Sequence, residues 1–161
     1  MGASIFGSLH DTYFMGLALR QGYEGYAAGE IPIGAVVVNS MGTVMAQAHN
    51  QVEKFCTQRA HAEMIVLEQA AAMGKNWRLD GCWLYVTLEP CSMCMGLAQL
   101  SRLAGVIYGA SSPLWGFRLD NTDFFQLYKR DALVTVGGIE EKKAEHMLKT
   151  FFKERRTKAS G

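Results

Sequence analysis

The chain has 161 residues, 49% of them apolar and 19% charged, and its formal net charge is only +1. That length suits one domain able to bury roughly 70% of the surface its unfolded chain exposes, and the apolar fraction excludes a disordered chain. The small net charge excludes a global field attracting nucleic acid, so any such contact must come from a local patch. No apolar run is long enough to span a bilayer.

Taken in order, Ser8 is placed to cap a helix whose apolar pattern runs through Leu9, Tyr13 and Leu17 toward Tyr23, closing at Gly29 and Pro32. Ile33 to Val38 is a β-branched run expected to form a strand buried on both faces. Turn residues Asn39 to Gly42 then lead into Thr43 to Ala48, an antiparallel hairpin partner. Thr57 is expected to start a helix running from about Ala60 to Gly74. Cys82 to Leu88 reads as a third strand, Pro90 as the first residue of a helix reaching Leu100, and Val106 to Tyr108 as a fourth strand. Strand, helix, strand in that order predicts a parallel crossover. Gly109 to Asp123 has no clean period and reads as a functional loop. Leu133 to Val136 is a fifth strand, and a final helix is expected from Ile139 to about Arg156. There is no internal repeat, linker or second domain, so residues 1–161 are expected to be a single domain.

Four cysteines in such a chain do not make a disulfide framework. Cys56 and Cys82 read as small buried hydrophobes. Cys91 and Cys94, with two residues between them at a helix start, place both thiols on one face of a first turn, where unpaired N–H groups and the dipole favour thiolate. His61-Ala62-Glu63 opens the other helix in the same manner. Together these supply an imidazole, two thiols and a carboxylate. Three protein ligands with an open fourth position make a catalytic zinc site, whereas a structural site closes with a fourth ligand. Glu63, turned away from the direction of His61, is then available for proton transfer. A lone Cys-x-x-Cys is shared with redox motifs, but a redox role leaves His61 and Glu63 unused.

With these residues in place, the chain resembles the zinc-dependent nucleoside and base deaminases, and most closely the tRNA adenosine deaminase group. The resemblance covers Pro32-Ile33-Gly34-Ala35-Val36, His49-Asn50, His61-Ala62-Glu63-Met64, Thr87 to Cys94 with Glu89-Pro90-Cys91 at its centre, and the closing Phe151 to Arg156. It implies a three-layer α/β/α fold with a mixed five-stranded sheet, in a homodimer. It also implies one Zn2+ per subunit on His61, Cys91 and Cys94, with Glu63 as the catalytic proton shuttle. Zinc-activated hydroxide would attack C6 of the wobble adenosine in a tRNA anticodon stem-loop, giving inosine and ammonia. The resemblance further implies that Asn50 and the Ala62 N–H contact substrate. Glu89 is a candidate support for the site, or a plain strand-end carboxylate.

Substrate contact outside the metal site rests on two regions. The basic cluster Lys149, Lys153, Arg155, Arg156 and Lys158 beside Phe151 and Phe152 can hold phosphates while a ring stacks on a splayed base. Phe152 and Arg155 are the expected contacts there, and core packing of the Phe residues is the competing role. After Gly109-Ala110 the chain departs from the family: Ser111-Ser112 stands where an Asp contacting the anticodon loop is usual. Ser112 keeps hydrogen-bonding capacity without the charge, and Trp115, Phe117 and Arg118 can stack or bind phosphate, with burial the competing role of the two aromatics. Two further functions compete with tRNA editing: deamination of a free base or nucleoside of guanine or cytosine type, and a zinc-stabilised interaction module without turnover. The expected compartment is the cytoplasm.

Overall fold

A computed structural model describes residues 4–119 and 133–159. Among them the chain runs α1 (Ser8–Ala27), β1 (Gly34–Val38), β2 (Val44–His49), α2 (Val52–Phe55), α3 (Ala62–Gly74), β3 (Trp83–Leu88), α4 (Ser92–Leu100), β4 (Gly105–Ala110), β5 (Val134–Val136) and α5 (Glu141–Ala159). Short 3₁₀ turns cover Gln58–Ala60 and Phe117–Leu119. The part of the expected functional loop after Leu119 lies outside the described residues.

One mixed five-stranded sheet has the order β2-β1-β3-β4-β5. β1 pairs antiparallel with β2 and with β3, whereas β3–β4 and β4–β5 are parallel. The expected hairpin and the crossover through α4 are both present. Successive strand residues point to opposite faces, and the core divides accordingly. Ala35, Val37, Leu84, Val86 and Val106 pack with Val66 and Leu67 of α3 and Met95 of α4. Val36, Val38, Tyr85 and Ile107 pack with Phe14, Met15 and Leu19 of α1 and Met147 of α5. The result is three layers, with α1 and α5 on one face and α3 and α4 on the other.

Helix α1 corrects the sequence reading. Leu9, Tyr13 and Tyr23 of the expected apolar face are exposed, and the buried face is Asp11, Phe14, Met15, Ala18, Leu19, Gly22 and Gly25. The reason is close approach: a Cβ on Gly34 of β1 would lie 1.9 Å from the Ala18 carbonyl oxygen and 2.5 Å from the Gly22 nitrogen. A helix pressed this tightly on a strand needs small residues where it meets Gly34, so Ala18 and Gly22 stand beside the large apolar Phe14, Met15 and Leu19 on its inner face. Asp11 is buried because Ser4 and the Tyr85 hydroxyl donate to its carboxylate. Ser8 is the first helical residue, not a side-chain cap; Gly7, at φ 82, precedes the helix.

Three further boundaries shift. Thr57 caps the 3₁₀ turn instead of α3, its hydroxyl accepting from the Arg59 N–H at 3.3 Å. Pro90 stands before the N-cap Cys91 and is not the first residue of α4. Cys82 is buried as expected, but Cys56 is exposed, in a left-handed conformation (φ 49) that ends the unanticipated turn of α2. No helix among the described residues is long and apolar enough to cross a membrane.

Candidate active site

The parallel pair β3–β4 and its crossover helix place one end of the site. β3 ends at Leu88, Glu89 and Pro90 follow, and Cys91 is the N-cap of α4 with Cys94 one turn in. The other end comes from the 3₁₀ turn, which delivers His61 as the N-cap of α3. Packing of α3 and α4 against the same face of the sheet brings the two helix starts together. His61 Nδ1 lies 3.8 Å from Cys91 Sγ and 3.5 Å from Cys94 Sγ. Among the described residues these three form a metal-capable cluster, with all ligand atoms within 4.8 Å of one another.

The donor set fits zinc. Imidazole nitrogen and two thiolates suit a borderline-soft ion and disfavour magnesium or calcium, which take oxygen. Bonds of 2.0–2.1 Å to nitrogen and 2.3 Å to sulfur at a tetrahedral angle place the two atoms about 3.6 Å apart, and the observed 3.5 and 3.8 Å bracket that value. Without a cation, the three groups share protons. A hydrogen bond from the Cys94 thiol, reinforced by His61, lowers the Cys91 thiol to about 4. The same Cys91 contact raises His61, and Cys94 is pushed up by sharing its proton with Cys91 and by burial.

Glu63, the second residue of α3, is 5% exposed. Burial raises its carboxyl above the usual carboxylate range, and its side chain also contacts Cys94. A buried carboxyl beside the cluster, with a raised affinity for protons, is a group able to take one up and release it. Ala62 is fully buried and is the first helical residue; its N–H has no acceptor within the helix.

Asn50 is 3% exposed and held from three sides. Its N–H donates to the Ile33 carbonyl at 2.9 Å, and the next residue, Gln51, donates to Ala60 at 2.9 Å, one residue before His61. Its side-chain amide donates to Glu30 Oε2 at 3.3 Å. Glu30, itself 3% exposed, also accepts the Glu53 and Lys54 N–H groups at the start of α2. The sequence reading missed Glu30. The available signal was an acidic residue directly ahead of the Ile31-Pro32 entry to a buried strand, where a carboxylate needs dedicated donors.

Glu89 is a supporting residue rather than a plain strand end. Its side chain is 1% exposed and accepts from the Ser112 N–H, the Arg118 N–H and the Arg118 guanidinium. Burial pushes its carboxyl up, but the guanidinium and the two backbone donors outweigh this and hold it below the usual range. The loop after β4 is thereby folded back onto the segment that carries Cys91, and Phe117 N–H donates to the Pro90 carbonyl at 2.9 Å. Ser112 is buried, its hydroxyl oxygen accepting from Trp115 N–H at 3.3 Å, while Trp115 is 77% exposed.

The C-terminal contacts lie on α5, on the opposite face of the sheet from α3 and α4. Phe151 is buried against Tyr26, and Phe152 is 42% exposed. Arg155 stacks on Phe151 and donates to the Gly29 carbonyl, next to Glu30. Arg155 thus ties α5 to the loop that carries Glu30.

The cytidine and deoxycytidylate deaminase zinc-binding region matches residues 9–110 of this chain. A tRNA-specific adenosine deaminase of Bacillus subtilis (strain 168) is 41% identical over 150 residues, 92% of each chain. A solved structure from a study of A-to-I editing by tRNA:A34 deaminases at the wobble position of transfer RNA is 34% identical. It superposes with a TM-score of 0.77 over 85% of this chain and 99% of its own. A guanine deaminase from Nitrosomonas europaea shares the fold at 22% identity, with a TM-score of 0.77 over 93% of both chains.

Proposed function

The chain belongs to the cytidine and deoxycytidylate deaminase zinc-binding family, and within it we propose that it deaminates adenosine to inosine at the wobble position of tRNA. The buried Glu63 beside the three-donor cluster carries the reaction type. The choice of tRNA rests on similarity along 92% of both chains to a tRNA-specific adenosine deaminase. Residues 1–161 act in this reading as one deaminase domain in the cytoplasm.

His61, Cys91 and Cys94 hold one zinc ion. When bound, zinc supplies Lewis-acid activation of water at neutral pH. A carboxylate oxygen of Glu63 would accept a proton from the attacking water and pass it to the purine ring nitrogen beside C6, then take the proton of the new C6 hydroxyl and give it to the departing amine. Water adds at C6 and ammonia leaves, so no redox partner is needed. Asn50, with one amide hydrogen committed to Glu30, turns its remaining donor and acceptor to the nucleotide. The Ala62 N–H orients the base. Burial of Glu63 keeps bulk water from short-circuiting the transfer.

The partner is the anticodon stem-loop, whose unpaired bases can be splayed into such a pocket. Exposed Lys153, Arg156 and Lys158 of α5 offer charge to phosphates and Phe152 a partly exposed ring, with Arg155 and Ser112 as the further contacts. A second copy of the chain is expected to cover α4, where Met93 and Leu100 are 42% and 52% exposed.

Incubation of the zinc-loaded protein with tRNA transcripts, adenosine, guanine and cytosine, followed by nucleoside analysis, tests this reading. Inosine forming in tRNA alone is the expected result; turnover of guanine or cytosine with no inosine in any tRNA overturns it.

A further inference from the structure

His61 is held by more than its backbone. Its Nε2 lies 2.9 Å from Gln58 Oε1, and its N–H donates to the Gln58 carbonyl at 3.4 Å. Gln58 sits in the 3₁₀ turn, which is itself pinned: Thr57 caps Arg59, Ala60 N–H donates to Thr57, and the Ala60 carbonyl accepts from Gln51. The residue that grips the ring is therefore fixed from both sides of the turn.

The geometry decides a proton position. An amide oxygen can only accept, so a contact from His61 Nε2 to Gln58 Oε1 places the ring hydrogen on Nε2. In the neutral ring Nδ1 then keeps its lone pair, and Nδ1 is the nitrogen that faces Cys91 and Cys94. The reverse orientation of the amide would donate to Nε2 and put the hydrogen on Nδ1, closing the ring to a cation. Metal-binding histidines characteristically donate their second N–H to an oxygen acceptor, which fixes the ring and raises its basicity.

We infer that Gln58 is a positioning residue for the metal site, selecting the His61 tautomer and ring orientation that zinc requires. In this role Gln58 acts through its contact with His61. The inference rests on the reading of His61 as a zinc ligand.

Zinc affinity, measured by competition with a chromophoric chelator, tests it on wild type, Gln58→Leu, Gln58→Glu and His61→Ala. Gln58→Leu removes the acceptor at similar size and is expected to weaken zinc binding about 10–100-fold. Gln58→Glu, which can only accept, is expected to bind at least as tightly as wild type. The thermal midpoint of the metal-free chain should be the same in wild type and both Gln58 variants, because the contact is read out through the metal. Nitrogen NMR of the zinc-loaded wild type should show the side-chain hydrogen of His61 on Nε2. Wild-type affinity in Gln58→Leu overturns the inference while leaving the zinc site intact. So does loss of affinity in both Gln58 variants together with a lowered metal-free midpoint. Equal zinc binding by wild type and His61→Ala removes the metal-site reading and this inference with it.

Discussion

Arg118 grips the Glu89 carboxylate with two parallel bonds, Nε to Oε1 at 2.9 Å and Nη2 to Oε2 at 3.1 Å. The same guanidinium donates to Ser111 and lies over the Tyr108 ring. Fork-to-fork pairing is the strong form of this contact, and here it closes the loop after β4 onto the residues preceding Cys91. Arg118→Ala leaves a buried carboxylate with only backbone donors. Because Arg118 is itself 53% exposed, water recovers part of the loss, and a destabilisation of about 1–3 kcal/mol is expected. Denaturant unfolding checks this. Arg118→Lys should recover only part of it, since an ammonium cannot make the parallel pair.

Glu30 should matter to turnover although it is not placed to touch the reacting atoms. Its carboxylate accepts Asn50 Nδ2 and two N–H groups of α2, so Glu30→Gln sets an amide hydrogen against at least one donor. Asn50 then loses its fixed orientation. A fall in kcat/KM of about tenfold or more is expected, the order of one lost hydrogen bond to a charged group, with zinc content unchanged. Steady-state kinetics and metal analysis on the same preparation decide it.

Metal removal should abolish turnover without unfolding the chain. The ligands project from α3 and α4, whose packing on the sheet through Val66, Leu67, Met95 and Ala98 does not involve the metal. Chelated protein is expected to keep its circular dichroism spectrum and melt at a lower temperature. Saturation at a hundredfold excess of free zinc over Kd adds about 2.7 kcal/mol to stability. Return of activity with zinc completes the test.

Gly34→Ala probes the tightest contact in the fold. The new Cβ would meet Ala18 O at 1.9 Å and Gly22 N at 2.5 Å, backbone atoms that cannot step aside alone. A cost at or above the usual overpacking range, about 3 kcal/mol or more, is expected, read as a lower denaturant midpoint.

What the sequence made legible followed from strong local chemistry. Val36, Val37 and Val38 mark a strand buried on both faces, and it is so. His61, Cys91 and Cys94 carry few other uses at such spacing, and the fold brings them together. The inner face of α1 was not legible, because close approach to β1 at Ala18 and Gly22, and to His49 of β2 at Gly25, sets small residues among Phe14, Met15 and Leu19 and breaks the hydrophobic pattern. Glu30 and Gln58 were missed, and Arg118 was named without its Glu89 partner, for another reason. Each acts on a partner distant in sequence or on the far side of a turn, and a Glu, Gln or Arg taken alone is ordinary surface composition. Arg155 was singled out for its charge, yet its visible contacts are Phe151 and the Gly29 carbonyl.

In the proposed zinc-dependent deamination of tRNA adenosine, Glu63 is the group that moves the proton. The most direct measurement is inosine formed at the first anticodon position of tRNA by zinc-loaded wild type and Glu63→Ala, with bound zinc quantified in both. Inosine from wild type, none above background from Glu63→Ala, and one zinc per chain in each is the predicted result. An unchanged rate of inosine formation in zinc-replete Glu63→Ala would contradict it.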